Sequence, residues 1–179
     1  MILESASLFE SIVSRCLLRV LWRSCGLDNT DLQQYIGRAG VSAGILNMKG
    51  RVHSVAAASR ELGLPPDHFI KTLVFIGQRE ALILAIVKGT DRVSSKRISS
   101  ALDIAPPRLA TPGEAIELTG YEVGGTPPVS IPNAKVLIDP NVMAMDEVVG
   151  GGGTDHHLLR ISPSEILRVT KGQVVRVRK

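Results

Sequence analysis

An α+β fold built on a mixed, largely antiparallel sheet is predicted by three observations. Two β-branched runs, residues 70–76 and 81–88, flank Gly77-Gln78-Arg79-Glu80, which is a hairpin signal. Helix-capping residues recur between strand-like segments, at Ser54, Ser94 or Ser95, Thr111 and Ser162. Strands and helices interleave, yet hairpins prevail over the long crossovers that a parallel sheet requires.

The elements follow in order. Residues 5–25 predict an amphipathic helix, with Phe9, Val13, Cys16, Leu17, Val20 and Leu21 on one stripe and Arg15, Arg19 and Arg23 on another face. Thr30 or Asp31 is expected to cap a second helix through Arg38, and Val41 to Met48 predicts a strand. Ser54 caps an alanine-rich helix, Val55–Leu62, closed by Gly63. Pro65-Pro66 turns the chain into the strand Phe69-Ile70-Lys71-Thr72-Leu73-Val74-Phe75-Ile76. A helix runs from Ser94 or Ser95 to Leu102, and Thr111-Pro112-Gly113-Glu114 opens another. Residues 120–134 carry too many glycines and prolines for regular structure and predict a specified loop. Val136–Asp139, Glu147–Val149 and Leu158–Ile161 read as short strands. Ser162 opens a helix to about Val169, and Gln173–Arg178 alternates apolar and basic residues as a last strand.

Composition narrows the function classes. Aromatic residues make up 3% of the 179-residue chain, which argues against reading nucleic-acid bases by stacking on an aromatic platform. Residues 49–97 hold nine Lys and Arg against four acids and residues 160–179 six against one, whereas residues 98–159 hold two against eight. Two basic segments flanking an acidic one fit either a phosphate-attracting side or ordinary solvated charge. Cys16 and Cys25 match no metal or redox spacing, so a reduced, cytoplasmic compartment is expected. No apolar run approaches ~20 residues, and no membrane association through a spanning helix is expected.

Two features point to chemistry. Lys71 lies inside an apolar strand, where desolvating an ammonium is costly unless something polar or anionic meets it. Thr119-Gly120-Tyr121-Glu122-Val123-Gly124-Gly125-Thr126-Pro127-Pro128 specifies permissive and then fixed backbone, leaving amides able to approach a ligand. Together they suggest a site for an ester or a phosphate. Gly150 to Gly153 fits neither phosphate-loop pattern and is read as a flexible loop at a pocket mouth, with Thr154 and Asp155 within reach of substrate. His156 and His157 face opposite ways on a strand, so no metal site is expected, and no cofactor either.

The Lys-Thr-Leu strand, the Thr-Gly-Tyr-x-x-Gly-Gly-x-x-Pro loop, Val136-Leu137-Ile138-Asp139, the run Gly150 to Gly153 and Ile161-Ser162-Pro163-Ser164-Glu165-Ile166 fall in one order. That order resembles the YbaK and prolyl-tRNA synthetase-associated editing domain family over roughly residues 30 to 177. The resemblance implies a sheet curled into a partly open barrel with surrounding helices. It divides the chain into an N-terminal helical extension (1–28) and an editing domain (29–179). It also implies hydrolysis of mischarged aminoacyl-tRNA, with tRNA(Pro) carrying Cys or Ala as substrate and prolyl-tRNA synthetase as a candidate partner. Lys71, Gly124 and Gly125 are the expected catalytic positions. Ser54, Thr126, Pro127, Pro128, Gly152, Gly153, Thr154 and Asp155 are the expected substrate contacts. The amides of Gly124, Gly125 and Thr126 would form an oxyanion hole. Adding a methyl at Gly125 is expected to cost activity in a surface loop, and adding one at Gly152 to cost much less. The alternative is a non-catalytic module with the same fold that holds aminoacyl-tRNA or a synthetase, for which the basic N-terminal helix is the supporting feature.

Overall fold

Two sheets organise the chain, and the element order follows from capping and burial. The computed structural model describes residues 26–51 and 54–179; the predicted helix at 5–25 lies outside them. Helix α1 (Asn29–Arg38) is capped by Asp28, whose carboxylate accepts the N–H groups of Thr30 and Asp31. The cap therefore sits two or three residues earlier than expected. Asp31 instead reaches back to the Asp28 N–H and completes a capping box. Strand β1 (Ala43–Asn47) follows, then α2 (Val55–Leu62), capped by Ser54 and closed by Gly63 at φ 65° as expected.

Strands β2 (Ile70–Ile76) and β3 (Leu82–Lys88) form the predicted hairpin, in register from Ile70↔Lys88 to Ile76↔Leu82. Residues Ile83 to Val87 are all buried, because β3 has core on both faces, and that explains its unbroken apolar run. Helix α3 (Ser95–Leu102), strand β4 (Arg108–Leu109) and helix α4 (Pro112–Thr119) follow. Thr111 and Glu114 form the capping box of α4. The last third holds β5 (Lys135–Ile138), the short helix α5 (Pro140–Met143), β6 (Val148–Gly151), β7 (His157–Ile161), α6 (Pro163–Thr170) and β8 (Gln173–Val174).

The larger sheet runs β4-β2-β3-β5-β8 and the smaller β1-β7-β6. β2–β3, β1–β7 and β6–β7 are antiparallel, whereas β3–β5 and β5–β8 are parallel, so the α+β, mixed-sheet expectation holds. A parallel bridge, Phe69↔Val149, links the two sheets. They do not close on each other, so the partly open barrel is not what the strand pairing records. One core cluster packs Ile70, Val74, Ile86, Ile138, Leu159 and Ile166 together. A second, on the other face of β2 and β3, holds Phe75, Ile83, Val87, Ile98 and Val177. Each such side chain is worth about 1.5–3 kcal/mol of burial.

Asp139 ties the last residues to this frame. Its carboxylate is fully buried. It accepts the N–H groups of Asn141, Val177 and Arg178 and pairs with the Arg178 guanidinium.

Candidate functional site

The glycine–proline loop begins where α4 ends. Gly120 closes that helix at φ 80°, and the Thr119 hydroxyl donates to Ala115 O while accepting the Tyr121 N–H. Tyr121 is buried, with its hydroxyl 2.7 Å from Ser130 Oγ. These contacts aim residues 122–128 back across the molecule. Glu122 O then accepts both the Gly125 N–H and the Thr126 hydroxyl, closing a tight turn through Gly124 at φ 97°. Only glycine takes that φ without strain.

The turn itself, Glu122 to Gly124, is exposed, but the residues after it are not. Gly125, Thr126, Pro127 and Pro128 are buried. The reason is the second glycine segment, which was expected to be a flexible mouth. Gly150 and Gly151 belong to β6, Gly152 N–H bonds His157 O at 3.0 Å, and Gly153 N–H bonds Gly125 O at 2.8 Å. A Cβ added at Gly125 would lie 2.9 Å from Thr154 N and Cα; one at Gly152 would lie 2.6 Å from the backbone of His157 and Leu158. The glycines are thus needed for two backbones to meet, and Gly152 is tighter than Gly125.

The amide inventory changes as well. Of the three N–H groups expected at an oxyanion, that of Gly125 is donated to Glu122 O at 3.1 Å. The N–H groups of Gly124 and Thr126 have no intramolecular acceptor among the described residues. Thr154 Oγ1 is 2.6 Å from His157 Nδ1 and accepts the His156 N–H. Asp155 forms an ion pair with Arg51 at 3.2 Å, and its other carboxylate oxygen lies 3.6 Å from His156 Nε2. The sequence presents His157 only as half of an adjacent histidine pair. Its place beside Thr154 rests on a turn that the Thr-x-x-His spacing could have suggested. Among the described residues no three His, Cys, Asp or Glu side chains are grouped to hold a metal.

Lys71 stands at the adjoining end of β2, partly buried, and its Nζ donates to Gly89 O at 3.0 Å. Desolvation holds its pKa below the ordinary lysine value; the nearby Asp91 carboxylate opposes this and Arg92 adds to it. Asp91 Oδ2 is itself buried with no hydrogen-bond partner among the described residues. Val55 packs where a Cβ on Gly89 would stand, which brings the start of α2, and so Ser54, to this corner. The Ser54 hydroxyl is engaged in capping, accepting Ala57 N–H at 3.2 Å.

The structure therefore joins Gly124 to Pro128 with Gly150 to Thr154 and His157, and separately joins Lys71 with Gly89, Asp91 and the start of α2. The two groups adjoin through β2. Ile70 lies under Gly150, with Pro128 beside it, and Lys71 is the next residue, on the opposite strand face with Leu73 and Phe75.

Residues 49–169 match the aminoacyl-tRNA editing domain family. Proline–tRNA ligases are similar: that of Thermotoga neapolitana is 31% identical over 59% of this chain and 18% of its own length. That of Pediococcus pentosaceus is 32% identical over 62% of this chain and 20% of its own. The chain thus spans about a fifth of the curated relatives it matches. Among solved structures, a hypothetical protein superposes with a TM-score of 0.78 and 31% identity, covering 83% of this chain and 99% of the other. A candidate trans-editing enzyme for prolyl-tRNA synthetase superposes with a TM-score of 0.78 and 27% identity, covering 84% and 96%.

Proposed function

Because the chain belongs to the aminoacyl-tRNA editing domain family, we propose that it is a deacylase that frees the amino acid from mischarged tRNA. Cys-tRNA(Pro) or Ala-tRNA(Pro) is the substrate, residues 29–179 are the editing unit, and the cytoplasm is the place of action. No helix among the described residues is long and apolar enough to cross a membrane. The observation that carries the reading is the partly desolvated ammonium of Lys71, one residue from the point where β2 meets the glycine-packed backbone.

The reaction adds water across an ester. The carbonyl carbon gains the water oxygen, the bond to the ribose oxygen breaks, and a proton passes to that oxygen. Free amino acid and an uncharged tRNA result. An aminoacyl ester is already activated, so positioning and charge stabilisation suffice without a protein nucleophile. Lys71 supplies the positive charge, and the N–H groups of Gly124 and Thr126 supply donors for the developing oxyanion. Gly125 contributes by holding the turn through its N–H and carbonyl. Pro127, Pro128, Gly152, Gly153 and Thr154 shape the wall against the aminoacyl group, and Ser54 and Asp155 frame its two sides. The need for such a site is physical: a synthetase pocket separates side chains differing by one methylene by only ~1–3 kcal/mol.

The test is release of Cys, Ala and Pro from tRNA(Pro) charged with each in turn. Release of Cys or Ala with Pro spared is expected. No release from any of them at micromolar protein overturns the reading. A second reading, a non-catalytic module that holds aminoacyl-tRNA or prolyl-tRNA synthetase, draws on the engagement of Ser54, Gly125 and Asp155 in internal bonds. Partner capture that needs residues 1–28, without measurable hydrolysis, favours it.

A further inference from the structure

The two basic segments read from the sequence are brought together in space. Ser94 N–H bonds Val177 O at 2.8 Å, Lys179 N–H bonds Arg92 O at 2.7 Å, and Val93 bridges Arg178. Residues 92–94 and 177–179 are thereby zipped side by side. Ile98 of α3 and Val177 are fully buried in one cluster, with Val93 and Val175 packed against it. Alternation then turns Arg176 outward. Between α3 and this segment lies an open groove of ≈ 290 Å³, lined by Arg97, Ser100, Ala101, Val175 and Arg176.

The charge here is not neutralised. Residues 92–102 and 171–179 contain no Asp or Glu. Among the described residues Arg92, Lys96, Arg97, Arg176 and Lys179 enter no ion pair, whereas Arg178 is taken up by Asp139. Some surface cations elsewhere on the chain do find carboxylates, as Arg108 finds Glu114 and Arg168 finds Glu165. The strip also has a direction. Lys71 Nζ donates to Gly89 O at 3.0 Å, three residues before Arg92 in the chain, so the row of cations ends at the Lys71 corner.

We infer that this strip, Arg92, Lys96, Arg97, Arg176 and Lys179, holds the ribose–phosphate backbone of the tRNA and leads its charged end to Lys71. This rests on the deacylase reading for the identity of the RNA. Clustered cations without partners attract phosphates at long range and release counterions on contact. The groove carries no aromatic residue, so it holds backbone and does not select bases.

The probe is uncharged tRNA(Pro), titrated against the full chain over a range of salt concentrations. Arg97→Glu with Arg176→Glu is expected to weaken binding at least 10-fold near 0.1 M salt. It should also make the plot of log K against log salt shallower by roughly 1.4–1.8, for two phosphate contacts at about 0.7–0.9 each. Arg97→Lys with Arg176→Lys should keep the wild-type slope. Should the glutamate pair lower the melting temperature, Arg97→Gln with Arg176→Gln takes its place. An unchanged slope in the charge-removed variant overturns the proposal. So does loss of binding to phosphatidylserine vesicles with tRNA binding intact. Wild-type protein that binds tRNA but releases no amino acid overturns the deacylase reading alone. Wild-type protein that deacylates, with a variant that keeps the salt slope, overturns the strip alone.

Discussion

Replacing Gly152 by alanine tests whether the two glycine segments meet as closely as described. The new Cβ would stand 2.6 Å from His157 C and from Leu158 N and C, about 0.8 Å inside the 3.4 Å at which ordinary contact begins. Those are backbone atoms of β7, paired on one side with β1 and on the other with β6, so no side chain can swing away. Relief requires β6 to lift. That breaks Gly152 N–H to His157 O and weakens Gly153 N–H to Gly125 O. Overpacking of this kind costs ~1–3 kcal/mol, and each hydrogen bond lost adds about 1 kcal/mol. A total of roughly 2–5 kcal/mol corresponds to a fall in Tm of about 4–20 °C for a domain of this size. Gly125→Ala, at 2.9 Å from Thr154, should cost less, and Gly124→Ala less again. At Gly124 the added methyl meets open space, and only its φ of 97° is strained, at about 1–2 kcal/mol. Thermal melts and urea titrations of the three variants give the order directly. A Gly152→Ala protein melting within 2 °C of wild type, or above Gly124→Ala, refutes the backbone contact.

Three further outcomes follow from the same structure. Lys71→Ala should slow deacylation at least 100-fold while Tm moves by no more than about 2 °C, and Lys71→Arg should not restore the rate, because a planar fork does not replace a compact ammonium. Activity retained within ~10-fold, about 1.4 kcal/mol, would make Lys71 structural. Asp139→Asn should cost about 3 kcal/mol in urea unfolding at neutral pH, since it strands the Arg178 charge. Burial alone would raise the Asp139 pKa, but the N–H groups of Asn141, Arg178 and Val177 and the Arg178 charge outweigh it and hold it low. Its contribution is therefore present above the unfolded carboxylate value of ~3.9 and is lost as pH falls through the lowered one. Glu114 and Glu165, each near about 2 through bonds to Arg108 and Arg168, fade in the same acid window. The Asn variant should show a flatter loss of stability between pH 5 and pH 2 (roughly the carboxylate range) than wild type. Tyr121→Phe leaves Ser130 Oγ without its 2.7 Å partner and should cost about 1 kcal/mol, or ~2–4 °C in Tm, with the loop still formed.

Most of the element order was legible because it is written locally. Ser54, Ser94, and Thr111 with Glu114 cap the helices they were expected to cap, since each acts within three residues of itself. Asp28 was overlooked because Thr30 and Asp31 offered the same chemistry closer to the apolar positions. Helix α5 was missed for want of length: a single turn has no periodicity to read. What local signals could not carry was the meeting of Gly125 with Thr154 and of Gly152 with β7. A glycine run has poor strand propensity, and only tertiary pairing with β7 makes Gly150 and Gly151 strand. Burial of Pro127 and Pro128 follows from the same contact, so the composition of the loop suggested a surface that packing removed. The Lys71 corner was visible as a charge in an apolar strand, but its acceptor, Gly89 O, was not, because glycine advertises no partner.

The pairing of β1 with β7 has a consequence in time. It joins Ala43 to Ile161, and β3 to β5 joins Ile83 to Lys135, whereas β2 and β3 meet across a short turn. Loop-closure entropy delays the distant pairs, so the hairpin carrying Lys71 is expected to form early and the glycine corner late. A refolding chain therefore passes through a stage in which the charged residue is in place and the backbone that faces the ester is not. Recovery of turnover should therefore lag behind closure of the β2–β3 hairpin, and the interval between them measures how long β3 waits with an open edge for β5.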